Sequence, residues 1–242
     1  MTHSFHWRRK ARNCRGWSLV EMMVTVIILI VLAALILPAL QSAKMVRDQM
    51  VCSARLRNVA MAGSSWIIDH DGAMLDAMYW RFPNETHSGS ILPYLGYKDS
   101  QLNTRLATPL SCPSSLREVG PNPDWNRCYS ISIYACMSET GVRSGVFERH
   151  ASKIQQLTHP SQMAFFMDGN FLSTGSAERK ASTSTITFPW NQQAKTGFYA
   201  RHRGNRANVV FLDGHVQAMT VEEFPQGNPT EQRLDPFWGS LQ

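Results

Sequence analysis

The sequence predicts an α+β chain in which a long N-terminal helix, transmembrane and then amphipathic, packs on a small, mainly antiparallel β-sheet head with long loops. Three observations predict it. Residues 19–40 read LVEMMVTVIILIVLAALILPAL, interrupted only by Glu21, Thr25 and Pro38. Past Pro38 the apolar residues fall at helical spacing. Beyond residue 72 the chain breaks into short alternating runs divided by Pro, Gly, Asn and Ser.

As a helix, residues 19–40 span about 33 Å, enough for a hydrocarbon core of about 30 Å. A core helix of a soluble protein carries a polar stripe, which this run lacks. A cleaved secretory signal has a shorter apolar region and a small-x-small site, and Gln41-Ser42-Ala43 makes a poor one. The run therefore reads as a retained single-pass membrane helix. Ahead of it, MTHSFHWRRKARNCRG carries Arg8, Arg9, Lys10, Arg12 and Arg15 and no acid. The positive-inside rule keeps that arm in the cytoplasm and exports the head. Lys44, Arg47, Arg55 and Arg57 on the far side make the asymmetry modest.

Glu21 is the residue the span does not explain. A carboxylate inside the membrane costs about 2–3 kcal/mol and calls for a partner, yet residues 19–40 hold no basic side chain. Cleavage between Gly16 and Trp17 creates one, because the new ammonium of Trp17 lies one helical turn before Glu21, or beside Glu21 of a neighbouring chain.

Gly16-Trp17-Ser18-Leu19-Val20-Glu21, after a short basic leader and before a long apolar helix, resembles the processing site of type IV prepilins and type II secretion pseudopilins. The resemblance implies that a prepilin peptidase cuts after Gly16 and methylates Trp17, and that Glu21 guides assembly into a filament. Trp17 replaces the usual Phe and Ser18 the usual Thr, each within its residue class. It implies a type IV pilin-like fold: residues 1–16 as a cleaved leader, 17–68 as the helix, membrane-spanning to about residue 40, and 69–242 as the extracytoplasmic α+β head. The expected partners are the prepilin peptidase, other pilin or pseudopilin subunits and the cytoplasmic membrane, with the head in the periplasm or at the cell surface. RHRGNRANVVFLDGHV is similar to a C-terminal signature of large prepilin-like proteins, His, nine residues, Asp-Gly; here ten residues separate His202 from Asp213-Gly214. Cys112-Pro113-Ser114, Pro160-Ser161, Asp168-Gly169 and residues 66–72 also look like landmarks of that group.

After Pro38, which is expected to kink the helix without ending it, an apolar stripe runs through Leu40, Ala43, Val46, Met50, Ala54, Leu56, Val59, Ala60, Gly63, Trp66 and Ile67. Lys44, Arg47, Asp48, Arg55 and Arg57 fall on the other faces. Asp69-His70-Asp71-Gly72 supplies the stop, with Gly72 suited to a left-handed turn. In the head, residues 128–137 alternate as a strand, and 162–167 and 208–212 are two more, each followed by Asp-Gly. Asp213-Gly214 reads as a two-residue hairpin turn and 173–187 as a surface loop.

Cys52, Cys112, Cys128 and Cys136 are the disulfide candidates of an exported head, with three pairings open. A continuous strand would hold Cys128 and Cys136 about 26 Å apart, beyond bridging distance, so that either instead reaches Cys112. The alternative is that all four stay reduced and buried. Asp69 and Asp71 furnish part of an oxygen-lined Ca²⁺ site but not a full ligand set, so no cofactor is expected beyond that one candidate structural ion. His202, Asp213 and His215 suggest a hydrolase, yet no H-E-x-x-H or G-x-S-x-G accompanies them, and aspartates beside glycines are mainly turn residues. The chain is accordingly expected to be a structural subunit and not an enzyme. A single-pass anchored binding module that never polymerises is the alternative.

Arg201, Arg203 and Arg206 are expected in a solvated turn. The whole chain has net charge +6, from 24 basic and 18 acidic residues. Five of the basic residues lie in the leader, leaving 19 against 18, so the mature chain carries +1 and no nucleic-acid partner is expected.

Overall fold

The computed structural model describes residues 16–76, 80, 90–96, 109–114, 128–132, 135, 153–169, 186–187, 200–220, 222–225 and 235–238. The chain divides into two compact units, Met1–Ala43 and Lys44–Gln242. One helix, α1 (Leu19–Asp69), contributes to both.

Helix α1 begins where its cap dictates. The Glu21 main-chain N–H donates to Ser18 Oγ (3.2 Å), in the Ser-x-x-Glu arrangement typical of a helix N-terminus. Thr25, the polar residue deepest in the apolar run, donates its hydroxyl to Met22 O (2.8 Å), so it needs no external acceptor. The helix passes through Pro38 without ending. Within residues 19–40 the large apolar side chains are 48–76% exposed. The largest apolar patch of a typical soluble monomer is about 300–600 Å², and a helix bare on every side exceeds that. It is one helix long and apolar enough to cross a membrane.

From Lys44 onward the helix belongs to the head unit, so that unit starts well before residue 69. Its buried residues are Asp48, Cys52, Leu56, Val59, Ala60, Ala62, Gly63, Trp66 and Ile67, spaced three and four apart for most of their length. The expected stripe holds from Leu56 on but is out of phase before it. Met50 and Ala54 are exposed, whereas Asp48, expected on the polar side, is buried and accepts hydrogen bonds from Arg47 Nε (3.1 Å) and Nη2 (2.9 Å). The face is set by Cys52 and Leu56, and residues four apart must share it.

The helix ends as Asp69-His70-Asp71-Gly72 requires. The Gly72 N–H reaches back to Ile67 O (2.9 Å), and both Asp71 (φ 55°) and Gly72 (φ 76°) are left-handed. The positive φ of Gly72 favours glycine, and a Cβ there would also have to displace the Gln155 side-chain amide, 2.8 Å away. The turn is held from outside, because Ile154 N–H donates to Gly72 O (2.8 Å) and Lys153 Nζ to Asp71 O (2.8 Å).

The head sheet is antiparallel across β1 (Tyr129–Ser132), β2 (Ala164–Asp168), β4 (Arg206–Phe211) and β5 (Val216–Thr220). The two-residue β3 (Ile186–Thr187) pairs parallel to β1, giving the order β3-β1-β2-β4-β5. Two residues assigned to the 173–187 loop are thus a strand, in keeping with β-branched Ile186 and Thr187; 173–185 lie outside the described residues. Strand β1 is described over Tyr129–Ser132, all four residues buried; Ala135 is not in it, and 133–134 and 136–137 of the expected strand lie outside the described residues. The strand is covered on both sides, its serines included. The β4–β5 turn is also longer than two residues: Phe211 N–H donates to His215 O and Gly214 N–H to Phe211 O (both 2.9 Å). They close a three-residue loop with Gly214 at φ 89°.

The core lies between the second half of α1 and this sheet, with Phe165, Phe166, Trp80 and Trp238 at its centre. Each fully buried aromatic or aliphatic side chain contributes about 1.5–3 kcal/mol. Residues near the end of the chain close it: Ala164 N–H donates to Phe237 O (2.7 Å), and the Phe237 ring meets Phe211 and Phe224 edge-on. Helix and sheet approach closely at Gly63, where a Cβ would stand 3.1 Å from Phe165 Cζ and 3.2 Å from Leu75 Cδ1. Replacement Gly63→Val is expected to cost about 1–3 kcal/mol by overpacking, read as a lower melting temperature of the detergent-solubilised chain. Met61→Ala on the exposed side serves as the control, and equal melting of the two variants would contradict this packing.

Candidate functional site

Several sequence landmarks converge on one buried corner of the head. Strand β2 ends in Asp168-Gly169, and the lead-in to β4 carries Arg201 and His202. His202 and Arg206 exchange main-chain hydrogen bonds (3.0 and 3.4 Å) around Arg203-Gly204-Asn205, whose Gly204 (φ 75°) and Asn205 (φ 55°) are left-handed. That tight turn brings His202 Nε2 to 2.9 Å from Asp168 Oδ2. The same oxygen accepts the Asn208 main-chain N–H (2.7 Å), and Arg201 Nη2 donates to Gly169 O (2.6 Å). Arg201 is therefore buried in the corner, against the expectation of a solvated turn, because its guanidinium completes the backbone beyond β2.

Helix α1 reaches this corner covalently, through a disulfide between Cys52 and Cys112 with Cα atoms 5.2 Å apart. Arg55 Nη1 donates to Ser111 O (2.6 Å) beside it, and Cys128 N–H donates to Leu110 O (2.8 Å). The sequence pointed to Cys128 or Cys136 as the partner of Cys112, but the structure pairs Cys112 with Cys52, because the helix passes directly beside the 109–114 segment. Cys128 lies buried with the bridged pair and Cys136 falls outside the described residues. Tyr129 donates its hydroxyl to Cys52 O (3.3 Å). Complete burial, then the nearby Asp168 and Cys128, push its pKa well above the ordinary tyrosine value against the opposing pull of Arg55 and Arg201, so it remains a donor.

The signature residues do not act as a unit. His202 precedes β4 and meets Asp168, whereas Asp213 and Gly214 follow it, so they stand at opposite ends of that strand. Asp213 accepts from the His215 main chain (3.0 Å) and ring (2.6 Å). Burial pushes its carboxyl up, but these hydrogen bonds prevail and hold it below the usual carboxylate range. Gly214 O faces Arg57 Nε of α1 at 3.4 Å. A hydrolytic grouping of His202, Asp213 and His215 is therefore not assembled. Asp69 and Asp71 likewise have separate tasks: Tyr94 donates its hydroxyl to Asp69 Oδ2 (2.9 Å), and Asp71 carries the left-handed turn. Among the described residues, the bridged sulfurs of Cys52 and Cys112 and a ring nitrogen of His202 lie within 4.8 Å of one another.

Gly16, Trp17 and Ser18 precede the helix and are exposed, and nothing lies within 4 Å of a Cβ placed on Gly16. Glu21 is exposed in the first turn. Residues 1–15 of the expected leader 1–16 lie outside the described residues.

Sequence reasoning did not single out Asp168 as the partner of His202. The legible signal was the repeat of Asp-Gly after two apolar strands, since antiparallel pairing of those strands sets the end of one beside the start of the other. Removing the imidazole leaves a buried carboxylate under-satisfied, so His202→Ala is expected to cost about 3 kcal/mol in thermal unfolding. His215→Ala, at an exposed pair, is expected to cost under about 1 kcal/mol. Similar losses from the two would contradict the buried pair. The chain matches no family model, no curated protein and no solved structure.

Proposed function

We propose that this chain is a prepilin-like structural subunit, exported with its head outside the cytoplasmic membrane and built into a type IV pilus or a type II secretion pseudopilus. The observation that carries the reading is a conjunction at the N-terminus. An exposed, non-helical Gly16-Trp17-Ser18 leads into an all-round apolar helix whose first turn holds a carboxylate. A plain membrane anchor has no use for Glu21, and its acid is a net cost in lipid.

Cleavage after Gly16 turns that cost into an address. Ser18 Oγ accepts the Glu21 main-chain N–H, so the backbone of the first turn is satisfied locally and the carboxylate stays available to another group. The ammonium of a processed Trp17 sits at the positive end of the helix dipole and repels a second cation there, which favours a carboxylate from a neighbouring helix as its counter-ion. In a low-dielectric filament core the unpaired charges are expensive and the paired ones are not, so register follows from charge. The role is structural: cleavage and methylation are done to the chain by a prepilin peptidase.

The groove of about 540 Å³ between α1 and the β4–β5 hairpin, lined by Met50, Ala54, Arg57, Asn208, Val216 and Ala218, favours a second reading, an anchored binding module that does not polymerise. Single cysteines placed along residues 25–40 separate the two, since a filament gives crosslinked ladders and an anchor gives monomers.

Co-expression with an active prepilin peptidase is expected to shorten the chain to residue 17 and add a methyl group, read by intact mass; a retained leader would contradict the processing step. Glu21→Ala is expected to insert into the membrane at the wild-type level and to lose incorporation into filaments. Normal incorporation of that variant would remove the charge-pairing argument.

A further inference from the structure

We propose that the groove between α1 and the β4–β5 hairpin binds an extended, carboxylate-bearing peptide of another protein, which adds as a strand to the edge of β5. The groove lies wholly within the head unit, so a filament subunit and an anchored module present it alike, and the inference does not depend on assembly. Among the described residues β5 is the outer strand of the sheet. Which of its backbone groups face outward follows from the register. Phe211 N–H donates to His215 O, and hydrogen-bonded and open pairs alternate along an antiparallel ladder, so Val210–Val216, Asn208–Ala218 and Arg206–Thr220 are the open pairs. The main-chain groups of Val216, Ala218 and Thr220 therefore point away from β4. Two of them are taken by the chain itself: Arg206 Nη1 donates to Ala218 O (3.0 Å), and Thr220 N–H donates to Glu223 Oε2 (2.7 Å). These contacts blunt the Thr220 end of the edge, as sheets blunt edges that must not pair. At the other end the N–H and C=O of Val216 and the N–H of Ala218 remain open to a partner among the described residues.

The groove beside that edge has the size and chemistry of a strand's binding site. Its floor carries Asn208, Val216 and Ala218, which the register places on one face of the hairpin, and its helix wall carries Val46, Met50, Ala54 and Arg57. From Val46 to Arg57 the helix rises about 16 Å, the length of about five residues of extended chain. The volume of about 540 Å³ is that of a site enclosing a small ligand. Val216, Ala218, Ala54 and Met50 offer apolar contact to alternate side chains of such a strand, and Met50 is 67% exposed without it. Asn208 is 1% exposed and its Nδ2 has no hydrogen-bond partner, a donor in the floor for an occupant's carbonyl. Arg57 is the one charged residue of the lining, beside the β4–β5 turn with Nε 3.4 Å from Gly214 O. A guanidinium with no carboxylate in the lining is complemented by an acidic side chain on the occupant. The β5 strand of a second copy, Val-Gln-Ala-Met-Thr, brings no such acid. A helix or a lipid chain would leave the backbone of Val216 and Ala218 unpaired, whereas an added strand pairs it and fills the groove at once.

The test uses the full chain in phosphatidylcholine nanodiscs, where no detergent competes for the groove. The probes are two fluorescein-labelled, otherwise blocked peptides, Val-Thr-Val-Thr-Val-Thr-Glu and its reversal, which cover both strand directions. One of them is expected to bind saturably at one site per chain, read by fluorescence polarisation, and to slow hydrogen exchange at the Val216 and Ala218 amides. Exchanging the peptide's Glu for Gln is expected to weaken binding about fivefold, and in Arg57→Glu that preference for Glu is expected to disappear. Val216→Pro removes an outward N–H that the ladder does not use, which edge strands tolerate. It is expected to melt with the wild-type chain and to lose peptide binding. No saturable binding of either peptide up to about 1 mM, equal affinity for the Glu and Gln peptides, or undiminished binding by folded Val216→Pro would each overturn the proposal. Protection of the Val216 and Ala218 amides that appears without peptide and rises with chain concentration would overturn it too, because the edge would then pair with a second copy.

Discussion

One continuous helix has two kinds of surface to satisfy. Up to Ala43 its apolar side chains are exposed around the whole circumference, and from Asp48 onward one face is buried in the head. The second half fixes the fold: Gly63 admits the Phe165 ring, Cys52 is bridged to Cys112, and the stop at Asp71-Gly72 is clamped by residues 153–156. The first half has no partner among the described residues of its own unit, and a helix of that composition is stable only where something apolar surrounds it. The same geometry that gives the head a core leaves the rest of the helix exposed, long and apolar enough to cross a membrane.

The head is small, and its sheet is completed by polar contacts where apolar packing ends. Asp168, His202, Arg201 and the Asn208 backbone form a buried cluster against the strand ends, and Tyr129 links it to the helix through the carbonyl of Cys52. Buried groups of this kind add little net stability when paired but are expensive to leave unpaired, so they specify one arrangement of strands over its alternatives. In this chain they join the end of β2 to the turn before β4.

Much of this was legible in the residues. The apolar run, Pro38 within the helix, the stop at residues 69–72 and the strands expected at 162–167 and 208–212, found at Ala164–Asp168 and Arg206–Phe211, follow from periodicity and turn chemistry, which are local. What was not legible is tertiary. Hydrophobicity alone put Met50 and Ala54 on the packed face, but Cys52 and Leu56 occupy it and draw Asp48 in with them, because a helix face is chosen by what it meets. The alternation in 128–137 marked a strand, found at Tyr129–Ser132, but did not say that its serines are buried, since that depends on what covers each face. His202 stood beside Asp213 in the sequence pattern and beside Asp168 in space, a pairing that needs the β2–β4 register to be known.

The central claim is that Glu21 of one subunit neutralises the processed N-terminus of another, and it is tested most directly by zero-length amine–carboxylate coupling in assembled filaments. Filaments grown from two isotopically distinct batches of chain, coupled with a carbodiimide and digested, are expected to yield Trp17–Glu21 linked peptides that combine both isotopes. Linked peptides of a single isotope only, or none from intact filaments, would contradict it.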